Sequence, residues 1–438
     1  MRRLLFIFSF LDGKAQEVET LTLEDCLRIG IDNNLSLEGK RKEIQKSKYG
    51  VSENRSKLLP QITVIAGYNN NFDPPVSVTD GSSYGVPYNI TKTLQHTANA
   101  GLEMQMPLFN QTLYTSMSIA KVMEEISRLS YGKAREDIIM QISKMYYLGQ
   151  VTAEQIVLIK ANITRLEELR DITQAFFDNG MSMEVDLKRV NINLENLKVQ
   201  YDNAQAMMKQ QLNMLKYIMD YPAEKEFVLT PVNTDSITTV ALTGLSENIY
   251  ELQLSQSQVQ LAEKQKKIIS NGYIPSLSLT GSWRYAAYTD KGYHWFHSGP
   301  SNHWFRSYGL GLTLRIPIFD GLDKTYKIKK AMIDIENSKL AWENARKSLQ
   351  TQYLNAVNDL MNNQRNFKKQ KDNYLLAEDV YTVTSDRYRE GIASMTEVLQ
   401  DEMQMSEAQN NYISAHYNYR ITNLMLLKLT GQIESLVK

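Results

Sequence analysis

Three landmarks in this chain occur twice, in the same order and at nearly the same spacing. Leu59-Pro60-Gln61-Ile62-Thr63-Val64 returns as Ile274-Pro275-Ser276-Leu277-Ser278-Leu279. Gln105-Met106-Pro107-Leu108-Phe109-Asn110 returns as Arg315-Ile316-Pro317-Ile318-Phe319-Asp320. Phe177-Asp178-Asn179-Gly180, with Asp186 beyond it, returns as Tyr388-Arg389-Glu390-Gly391, with Glu397 beyond. Each offset is roughly 210 residues, far longer than the period of a solenoid. The chain is therefore one structural unit written twice. The first copy, 16–225, has a strand hairpin at about 60–108 and a tip at Gly180. The second, 226–438, has its hairpin at about 275–317 and its tip at Gly391.

Around the repeated prolines the pattern has period two. Ala98, Ala100, Leu102, Met104, Met106 and Leu108 alternate with Asn99, Gly101, Glu103 and Gln105. Tyr308, Leu310, Leu312, Leu314 and Ile316 alternate with Gly309, Gly311, Thr313 and Arg315, and 62–68 and 277–285 behave alike. Alternation of this kind predicts four strands, each with an apolar and a polar face. Paired as two hairpins, they leave loops at about 73–96 and 290–304. Trp283, Trp295 and Trp304 gather at the loop end, where a bilayer interface favours amphipathic rings.

The remainder reads as helix. Residues 111–179 and 321–390 lack proline, and each would extend about 100 Å if continuous. Residues 184–220 carry Leu187, Val190, Leu194, Leu197, Tyr201, Ala204 and Met208 at steps of three and four. Val398, Met405, Tyr412, Tyr419 and Leu426 recur every seventh residue, as do Tyr353, Leu360, Phe367, Tyr374, Tyr381 and Tyr388. Strict heptads predict supercoiled helix–helix seams.

Composition narrows the class. Forty-nine basic against 49 acidic residues leave no net charge, so no nucleic-acid partner is expected. No stretch of 18 apolar residues exists to make a spanning helix, but spanning strands need only ~9–11 alternating residues. Met1-Arg2-Arg3, the apolar run Leu4 to Leu11 and Gly13-Lys14-Ala15 predict a signal peptide over 1–15. The single Cys26 excludes an intrachain disulfide and predicts a small buried residue on the first helix. Neither phosphate-binding loop, HExxH, GxSxG nor paired cysteines appear, so neither an enzyme nor a cofactor is expected. His294, His297 and His303 share one outer loop, where a polar–aromatic role outweighs a metal site.

Four strands cannot close a transmembrane barrel, since the smallest bacterial barrels have about eight. An open sheet in lipid leaves unpaired edges, each group costing several kcal/mol. The strands therefore predict a ring of copies, apolar faces to lipid, with Glu103, Gln105, Arg284 and Arg315 lining water. The competing reading is a soluble periplasmic coiled-coil scaffold with a small capping sheet.

The duplicated order of helix, Leu-Pro strand, Pro-Ile/Leu-Phe-Asn/Asp, long helix, glycine tip and heptad helix resembles the TolC-like outer-membrane efflux protein family. So do the opening Thr22-Leu23-Glu24-Asp25-Cys26-Leu27 and the closing Tyr412 to Gly431 segment. The resemblance implies an α+β membrane protein: a long α-helical coiled-coil barrel joined to a transmembrane antiparallel β-barrel completed by oligomerisation. In it the two repeats interleave instead of forming separate domains. It implies a homotrimer in the Gram-negative outer membrane, its helical part in the periplasm, working with a periplasmic adaptor protein and an inner-membrane transporter as the exit duct of an efflux or type I secretion system.

The same resemblance assigns residues. Gly180 and Gly391 match adaptor-docking tips, and Glu397 matches a carboxylate ringing the periplasmic gate. A second such position holds Gln400, with Asp401 beside it as a substitute if the helix face allows. Tyr388 and Asp186 match a pair whose hydrogen bond holds the entrance shut. Where a relative has a basic residue two after the glycine, this chain has Ala393. On physical grounds alone, Glu397 also suits the first turn of a helix, where an acid is favourable with the dipole.

Overall fold

The computed structural model describes residues 19–80, 82–92, 94–231, 244–289 and 304–437. The expected signal peptide, Trp295 and the three loop histidines lie outside them. The chain divides into two compact units.

One unit comprises the chain up to Lys42, Leu129–Gln253 and the chain from Glu343 onward. It opens with β1 (Glu19–Leu21), paired in parallel with β6 (Phe227–Leu229). Helix α1 (Leu23–Asn33) starts on a capping box: Thr22 Oγ1 accepts from the Asp25 amide at 3.1 Å, and the Thr22 amide donates to the Asp25 carboxylate at 3.2 Å. Such a box satisfies two amides that the first turn leaves orphaned. Leu21, Leu27, Leu37, Ile139, Ile142, Leu215 and Met219 form one core here. Cys26 is fully buried in it, as the sequence predicts, and burial pushes its thiol up to about 12.

The long helices are continuous: α3 spans Gln111–Asp178 and α6 spans Asp323–Arg389. Helices α4 (Glu184–Met219) and α7 (Met395–Leu429) follow the glycine tips. Their predicted seams are the buried faces. Val190, Leu194, Leu197 and Ala204 are buried on α4, and Val398, Met405, Tyr412, Tyr419 and Leu426 on α7. Tyr353, Leu360, Tyr381 and Tyr388 are buried on α6. Around Phe367 the aromatic heptads stack, with ring centroids 5.8 Å from both Tyr412 and Tyr419.

The second unit, Glu43–Arg128 with Leu254–Trp342, holds the sheet. It includes the end of α2 (Leu35–Ser56) and most of α5 (Tyr250–Ser270). Strands β2 (Gln61–Asn70), β5 (His96–Phe109), β7 (Ser276–Thr289) and β8 (Trp304–Arg315) form one antiparallel sheet in the order β2-β5-β7-β8. The repeated Phe-Asn/Asp motif now has a reason: Asn110 and Asp320 cap the helices that follow. Asn110 Oδ1 accepts from the Thr112 amide at 3.0 Å, and Asp320 Oδ2 from the Lys324 amide at 3.2 Å.

Two expectations need correction. The predicted loop at 73–96 contains a two-stranded ribbon, β3 (Val76–Asp80) with β4 (Tyr88–Lys92). Trp283 does not sit at the loop end of its strand. It lies mid-strand, opposite Leu102 and Tyr308, with its ring 5.3 Å from that of Tyr285. No helix among the described residues is long and apolar enough to cross a membrane.

Candidate functional site

The sheet register sorts side chains by face as expected, except at Leu108, where it shifts between Pro107 and Phe109. Ile62 lies opposite Met104 and Val64 opposite Leu102; Leu102 in turn faces Trp283, and Trp283 faces Tyr308. On the other face Thr63 lies beside Glu103, Glu103 beside Ser282, and Ser282 beside Gly309. Because successive side chains point to opposite sides of a strand, one sheet surface is mainly apolar, with Arg306 near its end, and the other mainly polar, with Ile65 and Phe305 on it.

All four residues assigned to the lumen lie on the polar surface. Gln105 sits between Gln61 and Thr280, and Arg315 opposite Ser276. Arg284 forms an ion pair with Glu103. Gly101 makes this reach possible: a Cβ there would stand 2.5 Å from the Trp283 carbonyl oxygen and 2.8 Å from the Arg284 Cα. Glu103, Gln105 and Arg284, with Thr63, Thr280 and Ser282, border an open hollow of about 530 Å³. Its chemistry is that of a wetted wall. Mixed charge and hydroxyls hold water, and no nucleophile–base pair is assembled there.

At the tips both glycines take the left-handed backbone, with φ +71° at Gly180 and +77° at Gly391. Both turns close in the same way. The Met181 amide donates to the Phe176 carbonyl and the Ile392 amide to the Arg387 carbonyl, each at 2.8 Å. This is the Schellman closure, which needs a residue tolerant of positive φ. Met181, Met183 and Ile392 stand exposed around the turns.

The expected gate residues do not all meet. Glu397 belongs to a capping box at the start of α7, with its Oε2 accepting from the Ser394 amide at 2.8 Å and its own amide donating to Ser394 Oγ at 3.3 Å. Asp401 follows one turn later on the same face as Glu397. It stands about 100° round the helix from Gln400, so it does not share that face. The expected Tyr388–Asp186 hydrogen bond is absent among the described residues. The Tyr388 hydroxyl donates to Thr173 Oγ1 at 3.4 Å, inside a cluster with Phe176, Leu169 and Val190. Asp186 instead accepts from Arg189, whose Nη1 lies 3.3 Å from Asp186 Oδ1 and 3.3 Å from Thr396 Oγ1. Arg189 thus ties α4 to α7 at the tip. Sequence inspection missed it, although the three-residue spacing from Asp186 on a helix was the available signal.

Two buried acids were also missed. Glu402 lies in α7 at 5% exposure; burial alone raises its pKa to about 6. Glu136 in α3 is raised to about 7, mainly by burial, while Lys428 pulls the other way. No group of His, Cys, Asp and Glu among the described residues is arranged to hold a metal ion.

Comparison with known proteins gives a consistent result. The sequence profile of the family described as outer membrane efflux protein matches residues 29–219 and 234–432. The chain is 21% identical over 396 residues to the outer membrane protein TolC of Vibrio cholerae, covering 87% of this chain and 84% of that protein. It is 18% identical over 432 residues to the alkaline protease secretion protein AprF of Pseudomonas aeruginosa, covering 96% and 86% respectively. Among solved structures it resembles the outer membrane channel CmeC of Campylobacter jejuni, with a TM-score of 0.75, 17% identity, and coverage of 94% of this chain and 85% of that one.

Proposed function

The chain belongs to the outer membrane efflux protein family, and on that premise we propose that three copies pool their sheets into one twelve-stranded barrel, the exit duct of an efflux or type I secretion system. It is an outer-membrane channel protein, not an enzyme. The observation that carries the proposal is the open sheet. Strands β2 and β8 have no strand partner on their outer sides among the described residues, and both are exposed throughout. In hydrocarbon, a row of unpaired amides and carbonyls costs several kcal/mol per group. Neighbouring copies remove both edges at once, placing the apolar surface against lipid and Glu103, Gln105, Arg284 and Arg315 around water.

Passage through the duct is passive, with energy supplied by an inner-membrane transporter that reaches it through a periplasmic adaptor. The exposed Met181, Met183 and Ile392 around Gly180 and Gly391 suit docking of an adaptor with apolar tips. Glu397, repeated by symmetry, forms the acidic entrance, with Asp401 one turn further along the same helix face. Like carboxylates around one opening attract cations.

Planar-bilayer conductance of the purified oligomer, with its intact mass, tests the reading. A trimer that conducts and whose block by divalent cations weakens in Glu397→Gln is the expected result. A monomer that stays soluble without detergent would refute the duct, and unchanged selectivity and block in Glu397→Gln would refute the gate.

A further inference from the structure

The two hairpins share one register as well as one sequence pattern. A step of 215 residues carries Gln61 to Ser276, and a step of 210 carries Gln105 to Arg315. Gln61 is paired with Gln105, and Ser276 with Arg315. The first hairpin, however, has a neighbour that the second lacks. On β5, Gln105 lies opposite Thr280 of β7, Met106 opposite Leu279 and Pro107 opposite Ser278; the ladder then skips Leu108 and sets Phe109 opposite Leu277. The skipped residue is a bulge, and it returns Phe109 to the apolar surface. In the second copy the matching residues, Ile316-Pro317-Ile318-Phe319, run on beyond the end of β8 outside any strand. Phe109 is 43% exposed and Phe319 80%. Leu277 is half-buried, whereas its counterpart Ile62 is exposed.

We propose that β8 joins β2 of the next copy in the register of the β5–β7 joint. The same two steps that relate the hairpins then set Arg315 opposite the partner's Ile65, Leu314 opposite the partner's Ala66 and Leu312 opposite the partner's Tyr68. Past a bulge at Ile318, Phe319 comes opposite the partner's Ile62. The inference rests on the pooled barrel argued above and adds the setting of its seam.

The rival setting copies the hairpins instead, with Arg315 opposite the partner's Gln61 and Leu314 opposite the partner's Ile62. The two settings differ by four residues, about 13 Å along the strand. Because four is even, both keep the apolar side chains on one surface, and alternation does not separate them. The segment after β8 does. β2 begins at Gln61, so the hairpin setting ends the ladder at Arg315 and leaves Ile318 and Phe319 uncovered. The joint setting takes Phe319 into the ladder against Ile62. Pro317, which has no amide to give, then falls beside a bulge, where a strand tolerates proline, as Pro107 does.

Paired cysteines in the full-length oligomer read the register, since Cys26 is buried and does not compete. Within one chain β2 and β8 stand three strand spacings apart, about 14 Å, so a disulfide between them joins two copies. Ala66→Cys with Leu314→Cys, or the adjacent Ile65→Cys with Arg315→Cys, should shift from the monomer position to covalent multimers on a non-reducing denaturing gel. Neighbouring pairs alternate between wide and close Cα approach, so the two variants together cover both geometries. Ile62→Cys with Leu314→Cys should stay at the monomer position. Linking through Ile62 in place of Ala66, equal linking through both, or no link at either expected pair in an oligomer of intact mass would overturn the register. Hydrogen exchange on the parent oligomer gives the same reading without substitution: Ile316–Phe319 should be as protected as Met106–Phe109, and fast exchange there would overturn it too. A parent protein that is not an oligomer would instead refute the pooled barrel, so the two failures are told apart by mass.

Discussion

Glu402 offers a quantitative test of how the tip is held together. It sits in α7 beside the cluster of Leu166, Val190, Leu194, Tyr381, Tyr388, Val398 and Met405, and its Oε1 has no hydrogen-bond partner. Burial lifts its carboxyl from 4.5 to about 6. At about 1.4 kcal/mol for each tenfold change in proton affinity, the ionised form costs the closed tip about 2 kcal/mol. The sign follows from which form burial favours. Below pH 4.5 the acid is protonated whether the tip is closed or open, and the closed tip is unpenalised. As pH rises through about 6 the closed form must also ionise, and that stability is lost. Glu402→Gln keeps the shape without the charge. Near neutral pH its amides over Met395–Met405 should therefore exchange about 30-fold more slowly than those of the parent. Below pH 4.5 the two proteins should match. Hydrogen exchange on the intact oligomer, corrected for intrinsic rates, reads this directly. A difference of the same size at both pH values, or a parent protein better protected near neutrality, would sink the reasoning.

Other perturbations follow from the same geometry. Gly391→Val forces a β-branched residue into positive φ and should cost about 1–2 kcal/mol, seen as faster exchange and proteolysis at the second tip while the sheet is unaffected. Ser394→Ala removes one side of the α7 capping box and should fray its first turn by about 1 kcal/mol, seen as lost protection of the Glu397 and Val398 amides. Arg284→Ala should raise the cation preference of the open pore and Glu103→Ala should lower it, both read from reversal potentials. Because both side chains are substantially solvated, neither change should alter oligomer stability by more than about 1 kcal/mol.

The features legible in the sequence were those governed by strict local periods. Pleating alternates side chains, so Leu310, Leu312 and Leu314 announced a strand and its apolar face, and the heptad tyrosines of α6 announced a seam. Positive φ favours glycine, so Gly180 and Gly391 announced the tips. What escaped depends on partners remote in sequence or on very short elements. β1 and β6 are three residues each and find one another across the first repeat. β3 and β4 are five residues each, between Pro74-Pro75 and the Gln95 turn, too short for alternation to stand out. At the tip, the family resemblance paired Tyr388 with Asp186, but each side chain takes another partner. Those partners, Thr173 and Arg189, carry no motif.

The pairing of strands shows why duplication did not finish the barrel. Each repeat supplies one hairpin, and β5 joins β7 antiparallel, so the two hairpins fuse into one sheet within a chain. The two outer strands then run in opposite directions. In the pooled barrel proposed above, β8 of one copy would therefore meet β2 of the next antiparallel, as every other neighbour does. The faces also agree: Ile62 and Val64 lie on the same surface as Leu310 and Leu312, so the seam continues both the apolar and the polar wall. Soluble sheets guard such edges with prolines, bulges or inward charges. Here β8 runs twelve residues with none of the prolines or bulges, and from Tyr308 to Leu314 its apolar positions are exposed in strict alternation. An edge so built is either an aggregation hazard or one half of a joint. Matched polarity and direction at the opposite edge favour the joint. Any number of copies would close with correct strand direction, so strand direction alone does not set the count.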